Sequence, residues 1–144
     1  MKSIKKLLFV MAALAAVFGF VACSNDDDGG PSRVAVYTAD ESEGDYTDIY
    51  TLTFYDDDTF SMYHEMEYRG EEWSATIFEG TYRGNPEGNG DIYITLEKML
   101  DEEGEEFVDP PKNLQDPIKI TVKGGKVRVP VTTSLLYTPE FTRE

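Results

Sequence analysis

The chain has 144 residues, with 28 Asp or Glu, 13 Lys or Arg, a single Cys and a formal net charge of −15. One cysteine excludes an intrachain disulfide, so the fold must rest on its core. The acidic balance repels phosphate backbones and anionic headgroups, which excludes nucleic acid as a partner, and the length suits one domain.

Met1 to Lys6 is short and cationic, and Leu7 to Ala22 then runs without a charge to Cys23. That order is the pattern of a secretory signal peptide over residues 1–22. The run has 16 residues and contains Gly19, too short for a membrane-spanning helix, which needs about 20. "FVAC" at 20–23 resembles a bacterial lipobox, although Phe20 stands where Leu is usual. The resemblance implies cleavage before Cys23 and lipidation of its thiol. Several acyl chains, at about 0.8 kcal/mol per buried CH₂, hold a protein stably in a bilayer. Ser24 lacks the aspartate that resembles an inner-membrane retention signal, so the outer membrane is the expected destination. "SNDDD" is similar to acidic signals that carry some lipoproteins to the cell surface; read plainly, residues 23–31 are a solvated tether. The expected location is the outer membrane, periplasmic or surface-exposed. The mature chain carries ten cations against 28 acids.

Residues 32–144 are rich in Tyr, Phe, Val, Ile and Thr, with turn residues every 8 to 12 positions, the composition of short antiparallel strands. A first strand is expected over Arg33 to Thr38, and "DESEGD" reads as a loop. Ile49 to Tyr55 follows, with Tyr50, Leu52 and Phe54 on one face. After the "DDDT" turn, Phe60, Met62, His64, Met66 and Tyr68 share a face. "RGEE" leads into Trp73 to Arg83. There Trp73, Ala75 and Ile77 alternate in one register and Phe78, Gly80 and Tyr82 in the other, which predicts a bulge or bend between Ile77 and Phe78.

"GNPEGNG" is a turn cluster, and Ile92, Ile94 and Leu96 line the next strand, with a possible helical turn over Leu96 to Asp101. "DEEGEEFVDPPKNLQDP", with two adjacent prolines and seven acids, excludes a central strand. Ile118, Ile120 and Val122 then form a hairpin with Val127, Val129 and Val131 across Gly124 and Gly125, and a segment from Leu135 to Arg143 closes the chain. Of the mature cations, Lys112, Lys119, Lys123, Lys126 and Arg128 are expected as outward residues that keep this hairpin soluble and blunt an exposed edge.

Such a meander of about eight strands can close on itself. "YTLTFYDDDTFSM", "FEGTYR", "DIYITL", "IKITVKGGKVRV" and the terminal "FTRE" are similar in order and spacing to small lipocalin-like domains of bacterial envelope lipoproteins. The resemblance implies an all-β, antiparallel up-and-down β-barrel over 32–144. The Gly-x-Trp signature near the first strand of true lipocalins is absent, so a roomy cavity is not implied. A β-sandwich is the alternative.

No catalytic signature is present. His64 is the only histidine, which excludes a histidine-based metal cluster, and no Gly-x-Ser-x-Gly elbow accompanies it. It is expected as a satisfied core residue or one at the barrel's end. The sharper reading is a polar group orienting a ligand, with Met62, Met66, Tyr50 and Trp73 beside it. Glu65 and Glu67 should face solvent, and Glu79, beside the register change, reads as a surface residue or a buried carboxylate. The clusters Asp56 to Asp58 and Asp101 to Glu106 raise a calcium reading but do not fit the twelve-residue calcium loop; they read as solvated turns. Tyr55, Tyr63 and Tyr93 suit either an exposed contact platform or cross-strand pairing.

The expected function is a non-enzymatic, lipid-anchored envelope protein, without cofactor or metal, binding a small apolar ligand or an envelope partner. A filled-core interaction or inhibitor module is the alternative, and a hydrolase using acidic residues is a third class. An apolar cavity of several hundred Å³ would favour ligand carriage, and a packed interior surface contact.

Overall fold

The computed structural model describes residues 30–130 and 139–144. The signal segment, Cys23 and most of the tether lie outside the described residues, as do Val131, Leu135 and Tyr137. Ser32–Glu144 forms one unit of the chain.

Within it, nine strands form one antiparallel sheet: β1 Arg33–Asp40, β2 Tyr46–Tyr55, β3 Thr59–Tyr68, β4 Glu71–Arg83, β5 Gly90–Leu100, β6 Phe107–Val108, β7 Ile118–Val122, β8 Lys126–Arg128 and β9 Glu140–Arg143. β1 to β5 pair in succession. β9 lies on the other side of β1, and β8 beside β9. β7 pairs with the first half of β5, and β6 with its last two residues. β7 and β8 meet through the single bridge Lys123–Lys126, across a turn in which Gly124 and Gly125 have φ of 60° and 73°. Two successive positive φ values are those of the hairpin turn expected for Gly-Gly. Hydrogen bonding thus runs from strand to strand back towards β1, but among the described residues no continuous ladder closes the sheet. The up-and-down antiparallel architecture is as expected, and it is compatible with a barrel and with a sandwich.

The change of face in β4 is a bulge. Met62 pairs with Phe78 and Tyr63 with Thr76, so Ile77 is the extra residue, and both Ile77 and Phe78 are buried. Gly80 serves the close approach of two strands. A Cβ there would lie 1.9 Å from the Thr95 carbonyl oxygen and 2.9 Å from the Phe60 ring, so its lack of a side chain lets β5 approach β4.

Two expectations are corrected. Leu96 to Asp101 is no helical turn: β5 runs to Leu100, and the one helical element among the described residues is a 3₁₀ turn at Lys112–Leu114. That turn also removes Lys112 from the set of strand cations. The remaining cations face outward as expected, with Lys119 3.0 Å from Asp91 and Lys126 2.8 Å from Glu140. The acidic stretch contributes only the two-residue β6 before its prolines.

The inner faces of β2, β3 and β4 stack in cross-strand rows. Phe54, Phe60 and Gly80 make one row, and Leu52, Met62 and Phe78 the next. Tyr50, His64 and Ala75 follow, then Asp48, Met66 and Trp73, and finally Tyr46, Tyr68 and Glu71. Tyr37, Phe54, Phe60, Phe78 and Phe141 are fully buried and, with Leu52, Met62, Ile92, Ile94 and Ile120, fill the first rows. The β4–β5 turn closes that end: Pro86 is buried and its carbonyl accepts the Tyr37 hydroxyl. Along the rows burial decreases, until Tyr68 is 50% exposed.

Candidate functional site

The site lies where the apolar rows give way to polar ones. His64 is 3% exposed. Its Nε2 lies 2.6 Å from Oδ1 of Asp48, one row nearer the less buried end on the adjacent strand. The β2–β3 register places Asp48 diagonal to His64, within reach of a side chain across a pleated pair. Its ring stacks on Tyr50 with centroids 4.0 Å apart and planes 10° apart, and meets Trp73 edge-on at 5.3 Å. Burial pushes the imidazole below its ordinary pKa, while the hydrogen bond and charge of Asp48 pull upward without prevailing. The ring is therefore neutral near pH 7, with the proton on Nε2–H donated to Asp48. Nδ1 is then a lone-pair acceptor, buried and without a hydrogen-bond partner.

The next row continues the pattern. Tyr46 lies 3.2 Å from the Met66 sulfur and packs edge-on against Tyr68 at 6.3 Å. Burial, and then the nearby charge of Asp48, push its phenol upward in pKa. Trp73 is covered by the β5–β6 turn, where a Cβ on Gly104 would lie 3.5 Å from the indole. On the outer face of the same end, Gly44, Asp45, Thr47, Glu67, Arg69 and Gly70 line a polar groove of about 360 Å³.

Of the sequence-derived candidates, the fold brings together His64, Tyr50, Trp73 and Met66. Met62 is fully buried one row deeper, among Leu52 and Phe78. His64 is a core residue near the end of the sheet, satisfied at one nitrogen only. Sequence reading missed Asp48 and Tyr46, because β2 starts at Tyr46 rather than Ile49. The signal was present: the alternation of Tyr50, Leu52 and Phe54, continued back by two and four residues, puts both on the inner face.

Glu65 and Glu67 are exposed, as expected, and Glu79 is partly exposed on the outer face, paired with Lys98. Asp57 accepts from the Thr59 amide at 3.1 Å, and Asp101 from the Glu105 amide at 2.8 Å, so both act as turn-stabilising acceptors. Among the described residues, no three His, Cys, Asp or Glu side chains gather as a metal-ligand group. Tyr55, Tyr63 and Tyr93 do not form one platform. They lie on different rows, and only Tyr93 is exposed, with Arg83 5.6 Å over its ring.

Searches of family models, curated proteins and solved structures found no match to this chain.

Proposed function

We propose that this chain is a non-enzymatic binding protein of the bacterial cell envelope, held on the outer membrane by lipid at Cys23. Its β domain is a lipocalin-like barrel that takes its ligand at the end marked by His64. The observation that carries this reading is the His64–Asp48 pair, set where a filled apolar interior meets half-buried Tyr46, Met66 and Trp73. A neutral imidazole held in one tautomer, with an unused acceptor among aromatic walls, is suited to orienting a flat, largely apolar molecule that carries one O–H or N–H donor. Nδ1 is sealed from solvent in this state, so a ligand reaches it only when half-buried Tyr46, Met66 or Trp73 shifts, and the same sealing tells against a nucleophile–base arrangement.

The packed first rows favour a second reading, a filled-core module that acts through its surface. Native mass spectrometry of the lipoprotein extracted from its source membrane separates the two. A retained small molecule lost in His64→Ala supports the first, and a retained protein the second. A bare chain that also takes up no radiolabelled palmitate, with Cys23→Ser as the control, overturns both the binding reading and the anchor.

A further inference from the structure

The β5–β6 hairpin shows a feature that the His64 end does not use. Phe107 and Val108 make up the whole of β6, and they are 38% and 39% exposed. β6 ends the sheet order. The hairpin is set by the Asp101 amide donating to the Glu106 carbonyl at 2.9 Å. In an antiparallel ladder the pairs alternate. With Asp101 and Glu106 as a bonded pair, Leu100 and Phe107 are a non-bonded one. The amide and carbonyl of Phe107 therefore point away from β5, and no hydrogen bond among the described residues closes on them. Phe107 lies opposite Leu100, which is buried, so its ring carries the inner apolar face out to the edge.

The turn that leads into this edge carries one sign. Glu102, Glu103, Glu105 and Glu106 are all exposed, and none of the ion pairs among the described residues includes them. Of the cations nearest in sequence, Lys98 is engaged by Asp109, and Lys112 lies beyond Pro110 and Pro111 in the 3₁₀ turn. Sheet edges are commonly protected by charge, yet here the charge flanks an exposed aromatic and an exposed valine rather than replacing them. An open backbone edge, an apolar anchor and an unneutralised acidic flank together describe a strand-addition surface: main-chain bonds supply affinity, and the alternating side chains select the sequence.

We propose that β6 is a docking edge for an extended, cationic segment of a partner protein, which pairs with Phe107 and places Lys or Arg against Glu102, Glu103, Glu105 and Glu106. This surface shares no residue with the His64 cluster, although its turn packs on Trp73 through Gly104; the variants below leave both of those residues in place, so it is tested separately from the ligand reading. The Pro110–Pro111 pair limits the added strand to about three or four residues, so electrostatics should carry much of the affinity and the selectivity.

The test uses the full chain in detergent and a fluorescent decapeptide of alternating Lys and Val, with an alternating Glu and Val peptide as its counterpart. The Lys peptide should bind, weaken as salt is raised, and slow hydrogen exchange at the Phe107 amide. Phe107→Pro removes the outward N–H while leaving the β5 bonds in place. It should weaken binding about tenfold, the equivalent of about 1.4 kcal/mol, with the circular dichroism spectrum unchanged. Replacing the four glutamates by glutamine, which leaves the edge backbone intact, should weaken binding and flatten its salt dependence. The proposal is overturned if Phe107→Pro or the glutamine variant binds like the parent, or if the Glu peptide binds equally. A Phe107 amide that already exchanges slowly in the free chain, through cover by its own chain, also overturns it.

Discussion

Replacing Asp48 by alanine isolates what the His64 pair contributes. The mutation removes a 2.6 Å hydrogen bond to a carboxylate, of a kind worth about 1.5–3 kcal/mol, and leaves a buried N–H unpaired at a cost of about 1–3 kcal/mol. These describe overlapping parts of one loss, and His64 already carries one unpartnered nitrogen. Asp48→Ala should therefore destabilise the domain by about 2–3 kcal/mol, which lowers the melting temperature by on the order of 10 °C. Asp48→Asn keeps an acceptor and should cost less than about 1 kcal/mol.

In His64→Phe a ring of similar size fills the same space between Tyr50 and Trp73 and brings no polar atom, so stability should stay within about 1 kcal/mol of the parent. Asp48→Ala should then cost less than about 1 kcal/mol in the His64→Phe background, a coupling of about 1.5–2 kcal/mol. Urea unfolding followed by the fluorescence of Trp73, the only tryptophan, measures all four proteins. If Asp48→Ala costs the same in both backgrounds, the two residues are not energetically paired and the hydrogen bond between them contributes nothing to stability.

The same geometry sets other outcomes. Because the folded state holds the His64 pKa below its ordinary 6.5, the unfolded chain takes up the proton first. Stability should be full above about pH 6.5 and decline as pH falls below it. Urea midpoints between about pH 8 and 5.5 check this, and Asp48→Asn, by removing the upward pull, should deepen the decline; a flat profile would count against a neutral buried imidazole. Gly80→Ala forces its Cβ against the Thr95 carbonyl, a backbone clash that no rotamer relieves. It should cost more than the roughly 1–3 kcal/mol of ordinary overpacking, read as a lost or greatly lowered thermal transition. Tyr37→Phe removes the donor to Pro86 and should lower stability by about 1–2 kcal/mol, while leaving the His64 pH profile unchanged.

Most strands were legible because residues whose side chains alternate between core and solvent carry that alternation wherever one face is buried. Tyr50, Leu52 and Phe54, the alternating Ile and Val on either side of Gly124 and Gly125, and the bulge between Ile77 and Phe78 could all be read locally. The expected β7–β8 ladder could not: among the described residues β7 pairs with β5, β8 with β9, and the two meet only at Lys123–Lys126. Gly124 and Gly125 announced their turn because glycine adopts its two positive φ values without steric cost. Leu96 to Asp101 misled because a short apolar run fits a helix or a strand, and pairing with β6 and β7 decides which.

What the sequence settled by itself was the all-β, antiparallel character and an apolar interior, since periodicity and turn chemistry are properties of neighbouring residues. Only the tertiary structure could set Asp48 beside His64, 16 positions away. The β2–β3 register determines that diagonal, and desolvation by the surrounding rings then determines the charge state of the histidine. The same holds for the edge at Phe107, since whether a strand ends a sheet depends on which neighbours arrive, and no single strand encodes that.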